Sequence, residues 1–264
     1  MASLDYFYGD YGEVEEAFLA AIDISLQPRG PDMLYDVVSD LRLHQAARVL
    51  DLGCGAGKYS IELARRFAFS VLGIDPYQNP GDDVRDALLD PALKDRVTFA
   101  RGRAEHLPLP DDNIDLIWCR DMLVHLEDLD GVFAECRRVL RPGGYMLILH
   151  SLADATFPPT EAAWLWKTMQ VVPARTDPTF FEAAFTAAGF QVARRQEVGS
   201  EWREYREEST RQSRLLHAAR MLRQPERYIA EFGQAAYDIM LGDCYWHIYQ
   251  LLGKLSYWIY VLRR

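Results

Sequence analysis

The clearest chemical signal in the chain is a glycine-rich turn that follows a short aliphatic run. Residues 49–57 read VLDLGCGAG and place glycine at positions 53, 55 and 57. Glycine is needed where a chain turns tightly and where a ligand approaches the backbone without a Cβ in the way. The segment therefore predicts a strand that runs into a ligand-binding turn, with a helix beginning directly after it.

A carboxylate follows this turn at the spacing of a nucleoside site. A second predicted strand ends in GIDP, which puts Asp75 eighteen positions after Gly57. A carboxylate at the end of that strand can accept hydrogen bonds from both hydroxyls of a ribose. A glycine turn alone can be a tight connection, and a strand-end aspartate alone can be a helix cap. Their order and register favour a nucleoside site at the switch point of a parallel sheet.

Two other nucleotide-binding motifs fit the segment poorly. A P-loop has Ser or Thr directly after its glycine-lysine pair, where this chain has Tyr59. It also has a glycine five positions before the glycine of that pair, where this chain has Leu52. The dinucleotide fingerprint needs a third glycine at position 58, which is Lys58. A nucleotide-dependent oxidoreductase is therefore a weaker alternative.

The composition is that of a globular protein with a small-molecule partner. The 264 residues are 49% hydrophobic and 26% charged, which suits one large domain with additions. The net charge of −10 argues against nucleic acid and anionic membranes, because both need a basic surface. The acidic N-terminus lacks the features of a secretory or mitochondrial leader, so we expect a cytoplasmic protein.

The cysteines and the aromatic C-terminal segment argue against disulfides, metal binding and membrane insertion. The four cysteines lie far apart and form no C-x-x-C pair, which fits reduced thiols, so we expect no bound metal. Charged residues interrupt the stretch from Tyr237 to Leu262, which leaves no apolar run long enough to cross a bilayer.

Short aliphatic runs alternate with longer amphipathic ones through the middle of the chain. This pattern predicts an α/β fold, a Rossmann-like, seven-stranded, mostly parallel sheet with helices on both faces. Tyr59, Leu63 and Phe67 recur every fourth residue and predict a helix after the glycine turn. The predicted strands are Arg48 to Leu52, Ser70 to Asp75, Val97 to Ala100, Ile114 to Cys119, Gly144 to His150, Phe190 to Val198 and Ser256 to Leu262.

The other segments are predicted to be helical additions to a core of residues 41–200. Residues 1–40 form an N-terminal helical cap, with a break between Pro28 and Pro31. Residues 201–253 form a C-terminal helical insertion that shapes a substrate pocket, and residues 254–264 return as the last strand. The charged beginning of the insertion, EWREYREESTRQSR, is interpreted as a solvated amphipathic face.

Residues typical of helix ends and turns support the later predicted elements. Asp177 before Pro178 is typical of a helix start, and Gly189 follows the same segment where a left-handed residue is expected. Residues 141–144, Arg-Pro-Gly-Gly, predict a turn before a buried strand.

With these features in place, the chain resembles the class I S-adenosylmethionine-dependent methyltransferases, in particular the broad group that includes menaquinone and small-molecule natural-product methyltransferases. The resemblance extends from VLDLGCGAG and GIDP through GRAEHLPLPDDNIDLIWCRDMLVHLED and RRVLRPGG, about a hundred contiguous residues. Outside this core it is general, apart from a terminal strand that looks like the family's seventh.

The resemblance implies S-adenosylmethionine as the cofactor and S-adenosylhomocysteine as its product. By position, Asp51, Gly53, Cys54 and Gly55 would surround the methionine part of the cofactor. Asp75 would hold the ribose.

The resemblance also implies contacts to the adenine. Pro76 would pack near the ring, and Arg103, Ala104 and Glu105 would meet its edge, Ala104 through its backbone amide. Cys119 would contribute backbone contacts near the sulfonium. Relatives often have Asp where this chain has Arg103, and arginine cannot accept a hydrogen bond from the adenine amino group. Glu105 or a backbone carbonyl is expected to replace it.

Two histidines are candidates for the catalytic base. His125 follows the fourth predicted strand and His150 ends the fifth, and both strands end on the side of the ligand crevice. Some sugar O-methyltransferases that this core resembles have a histidine and an acidic residue at these places. The structural alternative for His125 is a half-buried, hydrogen-bonded residue beside a helix. His247 could reach the same pocket from the insertion.

Aromatic residues at both ends of the chain have two interpretations, a lid over the ligands or ordinary core. We expect a lid for part of the N-terminal set and core for most of the C-terminal set. The two sets are Tyr6, Phe7, Tyr8 and Tyr11, and Tyr245, Trp246 and Tyr249.

The expected function is methylation of a small molecule, most simply at a hydroxyl of a sugar or natural-product intermediate. Methylation at nitrogen or carbon is an alternative. A second alternative is a protein that binds S-adenosylmethionine without transferring its methyl group, as a cyclase or a partner-binding subunit. A homodimer through the terminal helices is also plausible.

Overall fold

The computed structural model describes residues 10–77, 79–210 and 213–264, with side chains described from residue 14 onward. Within them lies one seven-stranded sheet, in the order β3-β2-β1-β4-β5-β7-β6. Its strands are β1 (Arg48–Leu52), β2 (Ser70–Asp75), β3 (Val97–Arg101), β4 (Ile114–Arg120), β5 (Leu140–Ala153), β6 (Gln191–Gly199) and β7 (Leu255–Arg263).

Strands β1 to β5 pair in parallel, and β7 runs antiparallel between β5 and β6. The strand order reverses between β1 and β4, which creates a crevice at their carboxyl ends. The sequence-based prediction of a mostly parallel, seven-stranded α/β fold is confirmed, and β1 and β2 have the predicted bounds.

The prediction of a turn before the fifth strand at residues 141–144 is wrong, because these residues are part of β5. Leu140 pairs with Ile114, and Tyr145 is the next residue to pair with β4, so the register shifts between them. Gly143 has a φ of +79°, and Arg141 forms an ion pair with the buried Asp115. The Arg-Pro-Gly-Gly segment is therefore an irregularity within a long strand.

Helices cover both faces of the sheet. They are α1 (Asp10–Ile22), α2 (Asp32–Asp40), α3 (Lys58–Phe67), α4 (Asp82–Ala87), α5 (Pro91–Lys94), α6 (Leu129–Val139), α7 (Pro159–Met169), α8 (Pro178–Ala187), α9 (Glu201–Thr210), α10 (Arg214–Arg223), α11 (Pro225–Phe232) and α12 (Gln234–Leu251). Short 3₁₀ turns span Leu123–His125 and Pro173–Thr176.

Side chains of each strand alternate between two apolar layers. Val49 of β1 packs in the layer that contains Leu63 of α3, whereas Leu50 packs in the layer that contains Phe133 of α6 and Phe181 of α8. The predicted helix after the glycine turn is confirmed as α3.

The predicted boundaries of α8 are confirmed. The Asp177 side chain accepts hydrogen bonds from the Thr179 and Phe180 amides, and Gly189 has a φ of +86°.

The insertion consists of α9 to α12, between β6 and β7. Its own core includes Met221 of α10 and Cys244 of α12. The interpretation of its beginning as a solvated face is wrong for one side of α9, because Trp202 is 2% exposed and Arg203 is half-buried. Trp246 and Tyr249 of α12 are buried in a cluster with Leu165 of α7, as expected for core aromatics.

From residue 10 onward, the N-terminal segment has one helix before the predicted proline-bounded break, α1, and one after it, α2. Helix α2 is part of the core, where the Tyr35 ring stacks on Trp118 with 5.4 Å between centroids. Tyr6, Phe7, Tyr8 and the Tyr11 side chain lie outside the described residues, so their role as a lid stays a prediction. No helix in the described part of the chain is both long and apolar enough to span a membrane.

Candidate functional site

The glycine turn joins β1 to α3 and is anchored to β2. The Gly53 and Cys54 amides both donate to the Ile74 carbonyl, at 2.9 and 3.2 Å. Gly57 has a φ of +86°, and a Cβ there would lie 2.5 Å from Cζ of Phe99. Gly55 has a φ of +51°, but a Cβ on it would meet no atom within 4 Å. The turn is therefore packed at Gly57 and open at Gly55.

Asp75 lies beside the open side of this turn. Its Oδ2 accepts a hydrogen bond from the Gly55 amide at 3.0 Å, and its Oδ1 accepts one from the Tyr77 amide at 2.8 Å. These two bonds orient the carboxylate, and each oxygen keeps a lone pair for a further donor. The structure thus brings together the two features that predicted a nucleoside site.

Asp51 lies beneath the turn and is only 3% exposed. Its Oδ2 accepts a hydrogen bond from the Ser60 hydroxyl at 2.6 Å. Burial raises the pKa of Asp51 to about 6, although the Ser60 hydrogen bond and the charge of Arg120 act in the opposite direction. The carboxyl group therefore connects β1 to α3.

Cys54 and Cys119 have buried side chains. Burial raises the pKa of Cys54 to about 12 and that of Cys119 well above its ordinary value, so neither is a thiolate. Cys119 is fully buried in the layer that contains Phe133. A ligand at the carboxyl end of β4 can therefore meet only the backbone of Cys119.

The segment predicted to meet the adenine follows β3. The Arg101 Nε donates to the Pro76 carbonyl at 2.8 Å, which connects this segment to the end of β2. Ala104 is buried, Arg103 is exposed, and the Arg103 Nε lies 3.7 Å from Oε2 of Glu105. The group that replaces the usual acidic contact to adenine therefore stays a prediction.

His125 ends the 3₁₀ turn after β4 and is exposed to a cavity of about 230 Å³. Its Nδ1 lies 3.0 Å from the Gln170 carbonyl at the end of α7. Because a carbonyl can only accept, Nδ1 carries the hydrogen of the neutral ring and Nε2 is the basic nitrogen. We call this space the His125 cavity; Val124, Met169 and Trp246 supply apolar parts of its wall.

The prediction that His150 stands in the acceptor pocket is wrong. The ring is fully buried, stacks on Phe181 with 3.8 Å between centroids, and its Nε2 lies 2.7 Å from the Arg175 carbonyl. Burial lowers its pKa to about 4. Side chains of β5 alternate between faces, so His150 points away from its neighbour Ser151 and from Tyr257, which pairs with Ser151.

The sequence-based prediction missed a hydrogen-bonded group at the end of β4. The Tyr257 hydroxyl donates to Asp121 Oδ2 at 2.8 Å and accepts from Arg203 Nη2 at 2.9 Å. Burial raises the pKa of Asp121, despite the opposing charge of Arg120, and burial also raises that of Tyr257. The position of Asp121 at a strand's carboxyl end was a usable signal, whereas Tyr257 and Arg203 are brought there by the fold.

A second cavity of about 240 Å³ adjoins the first. We call it the arginine cavity, because Arg120, Arg203, Arg206 and Arg214 line it. It shares Asp121, Arg203, His247 and Tyr257 with the His125 cavity. A larger open depression of about 690 Å³ between α8 and β6 shares none of these residues.

The glycine turn and the His125 turn are neighbours. A Cβ on Gly53 would lie 2.8 Å from Cγ of Met122, the residue that precedes the 3₁₀ turn. The structure therefore brings the cradle at Gly55 and Asp75, the base candidate His125 and the two cavities to the same edge of the sheet. His150 is separated from them.

Comparisons with known proteins agree with this arrangement. Residues 50–148 match a family model described as a methyltransferase domain. Methyltransferase GfsG of Streptomyces halstedii is 37% identical over 131 residues, which cover 50% of this chain and 47% of that protein. The 27-O-demethylrifamycin SV methyltransferase of Amycolatopsis mediterranei is 31% identical over 150 residues, covering 55% and 53%. The matches thus span about half the length of these relatives.

A solved structure extends the likeness beyond the matched core. The [4+2]-cyclase SpnF superposes with a TM-score of 0.69 at 25% identity, covering 88% of this chain and 81% of that one. Residues 50–148 are therefore a methyltransferase domain, and the fold around it is that of the class I S-adenosylmethionine-dependent methyltransferases.

Proposed function

We propose that this protein transfers the methyl group of S-adenosylmethionine to a hydroxyl of a small molecule, a sugar or a natural-product intermediate. The observation that carries the proposal is the Asp75 carboxylate, held by the Gly55 amide beside a turn that is open at Gly55 and that packs at Gly53 against Met122, next to the turn that carries His125. The name of the rifamycin relative, a methyltransferase of an O-demethylated natural product, supports this substrate class.

The residues present fit the cofactor of this family. Asp75 would accept hydrogen bonds from the ribose hydroxyls, and the glycine turn at Gly53 and Gly55 would border the methionine part. Pro76 and the segment from Arg103 to Glu105 would border the adenine. When bound, S-adenosylmethionine supplies a methyl group on a positively charged sulfur that a nucleophile can displace.

The protein's task is then to orient the acceptor and to remove its proton. A positioned hydroxyl reacts faster because its orientation is fixed before the reaction. His125 would take the hydroxyl proton at Nε2, since the Gln170 carbonyl holds Nδ1. Tyr257, which donates to the Asp121 carboxyl and accepts from Arg203, would keep the adjoining wall rigid.

A second candidate is binding of S-adenosylmethionine without methyl transfer. The likeness to a [4+2]-cyclase favours it. An N- or C-methyltransferase is a third possibility, and it differs from the first in the acceptor atom that carries the new methyl group.

Release of S-adenosylhomocysteine from S-adenosylmethionine separates these candidates. The purified protein is incubated with a panel of sugar and polyketide hydroxyl acceptors, and the methylated atom is assigned by NMR. We expect product from a hydroxyl acceptor, and a kcat about 10² to 10⁴ lower for His125→Ala with unchanged cofactor binding. The control His217→Ala, which lines neither cavity, should keep the wild-type rate. Cofactor uptake without product across the panel would favour the cyclase-like candidate.

A cytoplasmic location and a homodimer through the terminal helices belong to the same proposal. Light scattering on the purified protein tests the homodimer, because a mass near 30.3 kDa would be that of a monomer.

A further inference from the structure

The arginine cavity is strongly basic in a protein whose net charge is −10. Four arginines line it against two carboxyl groups, Asp121 and Glu207. Arg203, Arg206, Glu207 and Thr210 follow the i, i+3, i+4, i+7 spacing of one helix face, so α9 presents this side to the cavity.

Most of these arginines lack a carboxylate partner. Within residues 10–77, 79–210 and 213–264, Arg120, Arg203 and Arg206 form no ion pair, whereas Arg214 pairs with Asp243 at 3.2 Å. The Arg203 guanidinium donates to two neutral groups, Gln250 Oε1 and the Tyr257 hydroxyl. Its other donors are available to a ligand.

Arg120 is held by aromatic rings. Its guanidinium lies 3.8 Å from the Tyr59 ring centroid and 5.2 Å from that of Trp202. Its Nε is buried and has no hydrogen-bond partner among the described residues. A buried guanidinium donor without an acceptor is costly, so an anion that enters the cavity gains from it.

His247 also lines the cavity, beside these arginines. Its Nδ1 accepts a hydrogen bond from Arg214 Nε at 3.1 Å. Burial, and then the charges of Arg203, Arg214 and Arg206, lower the pKa of His247 to about 3. The ring is therefore neutral at physiological pH and does not compete with a bound anion.

We propose that the arginine cavity binds an anionic oxygen group, a carboxylate or a phosphate, of the methyl acceptor. This inference rests on the proposed function and names the acceptor's class. The two cavities share four residues, so one molecule can place its anionic group among the arginines and its hydroxyl near His125. Arginine suits this role because its planar donors match both carboxylate and phosphate. Arg203, Arg206 and Arg214 belong to the insertion and not to the strands that carry the glycine turn, which favours the acceptor over the cofactor's own carboxylate.

Arginine Nε–H signals in ¹⁵N NMR spectra test the inference at the site itself. The protein saturated with S-adenosylhomocysteine is titrated with benzoate, with its neutral analogue benzamide and with inorganic phosphate. We expect benzoate or phosphate to shift the signals of Arg203 and Arg214 saturably, and benzamide not to shift them. The tighter binding of benzoate or of phosphate indicates whether the acceptor's anionic group is a carboxylate or a phosphate.

Two variants provide the comparison. Arg206 is exposed and makes no ion pair among the described residues, so Arg206→Gln should fold and weaken anion binding about tenfold. Arg223→Gln, on α10 but outside the cavity, should bind as the wild type does. Equal responses to benzoate and benzamide, or unchanged anion affinity in Arg206→Gln, would overturn the inference. Loss of S-adenosylhomocysteine affinity in Arg206→Gln would also overturn it, because the arginines would then hold the cofactor's carboxylate.

The failure of this inference is distinguishable from that of the proposed function. Uptake of S-adenosylhomocysteine by the wild type is measured first, and its absence counts against the proposed function. The anion titration is repeated without S-adenosylhomocysteine, so the anion site is tested in either case.

Discussion

At the scale of single residues, the Asp75 carboxylate is oriented before any ligand arrives. The Gly55 and Tyr77 amides each hold one of its oxygens, and the open side of the turn lies next to it. The hydroxyls of a ribose would therefore meet an acceptor in a defined orientation, which would reduce the entropy lost on binding.

We predict that Asp75→Ala weakens binding of S-adenosylhomocysteine about 10- to 100-fold, because hydrogen bonds to a charged acceptor are lost. Isothermal titration calorimetry measures the change. Asp83→Asn on α4 removes an exposed carboxylate close by and serves as the matched control. Equal affinities of Asp75→Ala and Asp83→Asn would contradict a ribose site at Asp75.

The burial of His150 predicts how the free energy of unfolding depends on pH. Burial lowers its pKa from 6.5 to about 4, so the unfolded chain takes up a proton at a higher pH than the folded protein does. The contribution of the neutral ring to folding is therefore complete above pH 6.5 and is lost as the pH falls towards 4. Between pH 7 and pH 4 the wild type should lose roughly 3 kcal/mol more unfolding free energy than His150→Phe.

Urea denaturation at several pH values measures this difference, and parallel pH curves for the two proteins would refute it. The same variant tests the catalytic interpretation of His150. Since the ring packs on Phe181 in the core, His150→Phe should retain methyl transfer. A loss of turnover with normal cofactor binding would restore His150 as a catalytic candidate.

At the scale of elements, the turn between β1 and α3 separates a packing position from a ligand position. Alanine at Gly57 or at Gly55 has to adopt a positive φ, but only at Gly57 would its Cβ overlap the Phe99 ring. We predict that Gly57→Ala destabilises the fold by about 2 to 4 kcal/mol, and Gly55→Ala by about 1 to 2 kcal/mol.

Denaturant midpoints compare the two variants, and calorimetry compares their cofactor binding. Gly55→Ala should fold and yet bind S-adenosylhomocysteine more weakly, because its Cβ occupies the open side of the turn. If Gly55→Ala bound the cofactor normally, the cradle would not be at this position.

At the scale of the whole molecule, the sheet connects the two halves of the site. The glycine turn follows β1 and Asp75 ends β2, whereas Tyr257 belongs to β7, which reaches the site by antiparallel pairing with β5. A ligand that bridges these parts stabilises the entire fold through linkage.

We predict that S-adenosylhomocysteine at about 100 times its Kd stabilises the protein by about 2.7 kcal/mol and raises Tm by about 5 to 10 °C. NAD at the same concentration should leave Tm unchanged. Differential scanning calorimetry measures both, with Asp75→Ala as the control that should lose the response. A shift with NAD alone would point to an oxidoreductase.

The mostly parallel sheet, the glycine turn and the strand-end position of Asp75 could be predicted from the sequence alone. These features depend on local periodicity, on glycine at positions of positive φ, and on a fixed spacing along β1, α3 and β2. Helix α8 was equally predictable, because its cap and its terminal glycine are local signals.

Which side chains face the two cavities could not be predicted without the tertiary structure. His125 and His150 were equivalent candidates in the sequence, because His125 follows a predicted strand and His150 ends one. The direction of the His150 side chain depends on the register of β5, and this register places the ring in the core. The arginines of α9 looked like a solvated face, because a charge pattern does not reveal what a helix packs against. Asp121, Arg203 and Tyr257 lie far apart in the chain, and the pairing of β7 with β5 and the packing of the insertion bring them into contact.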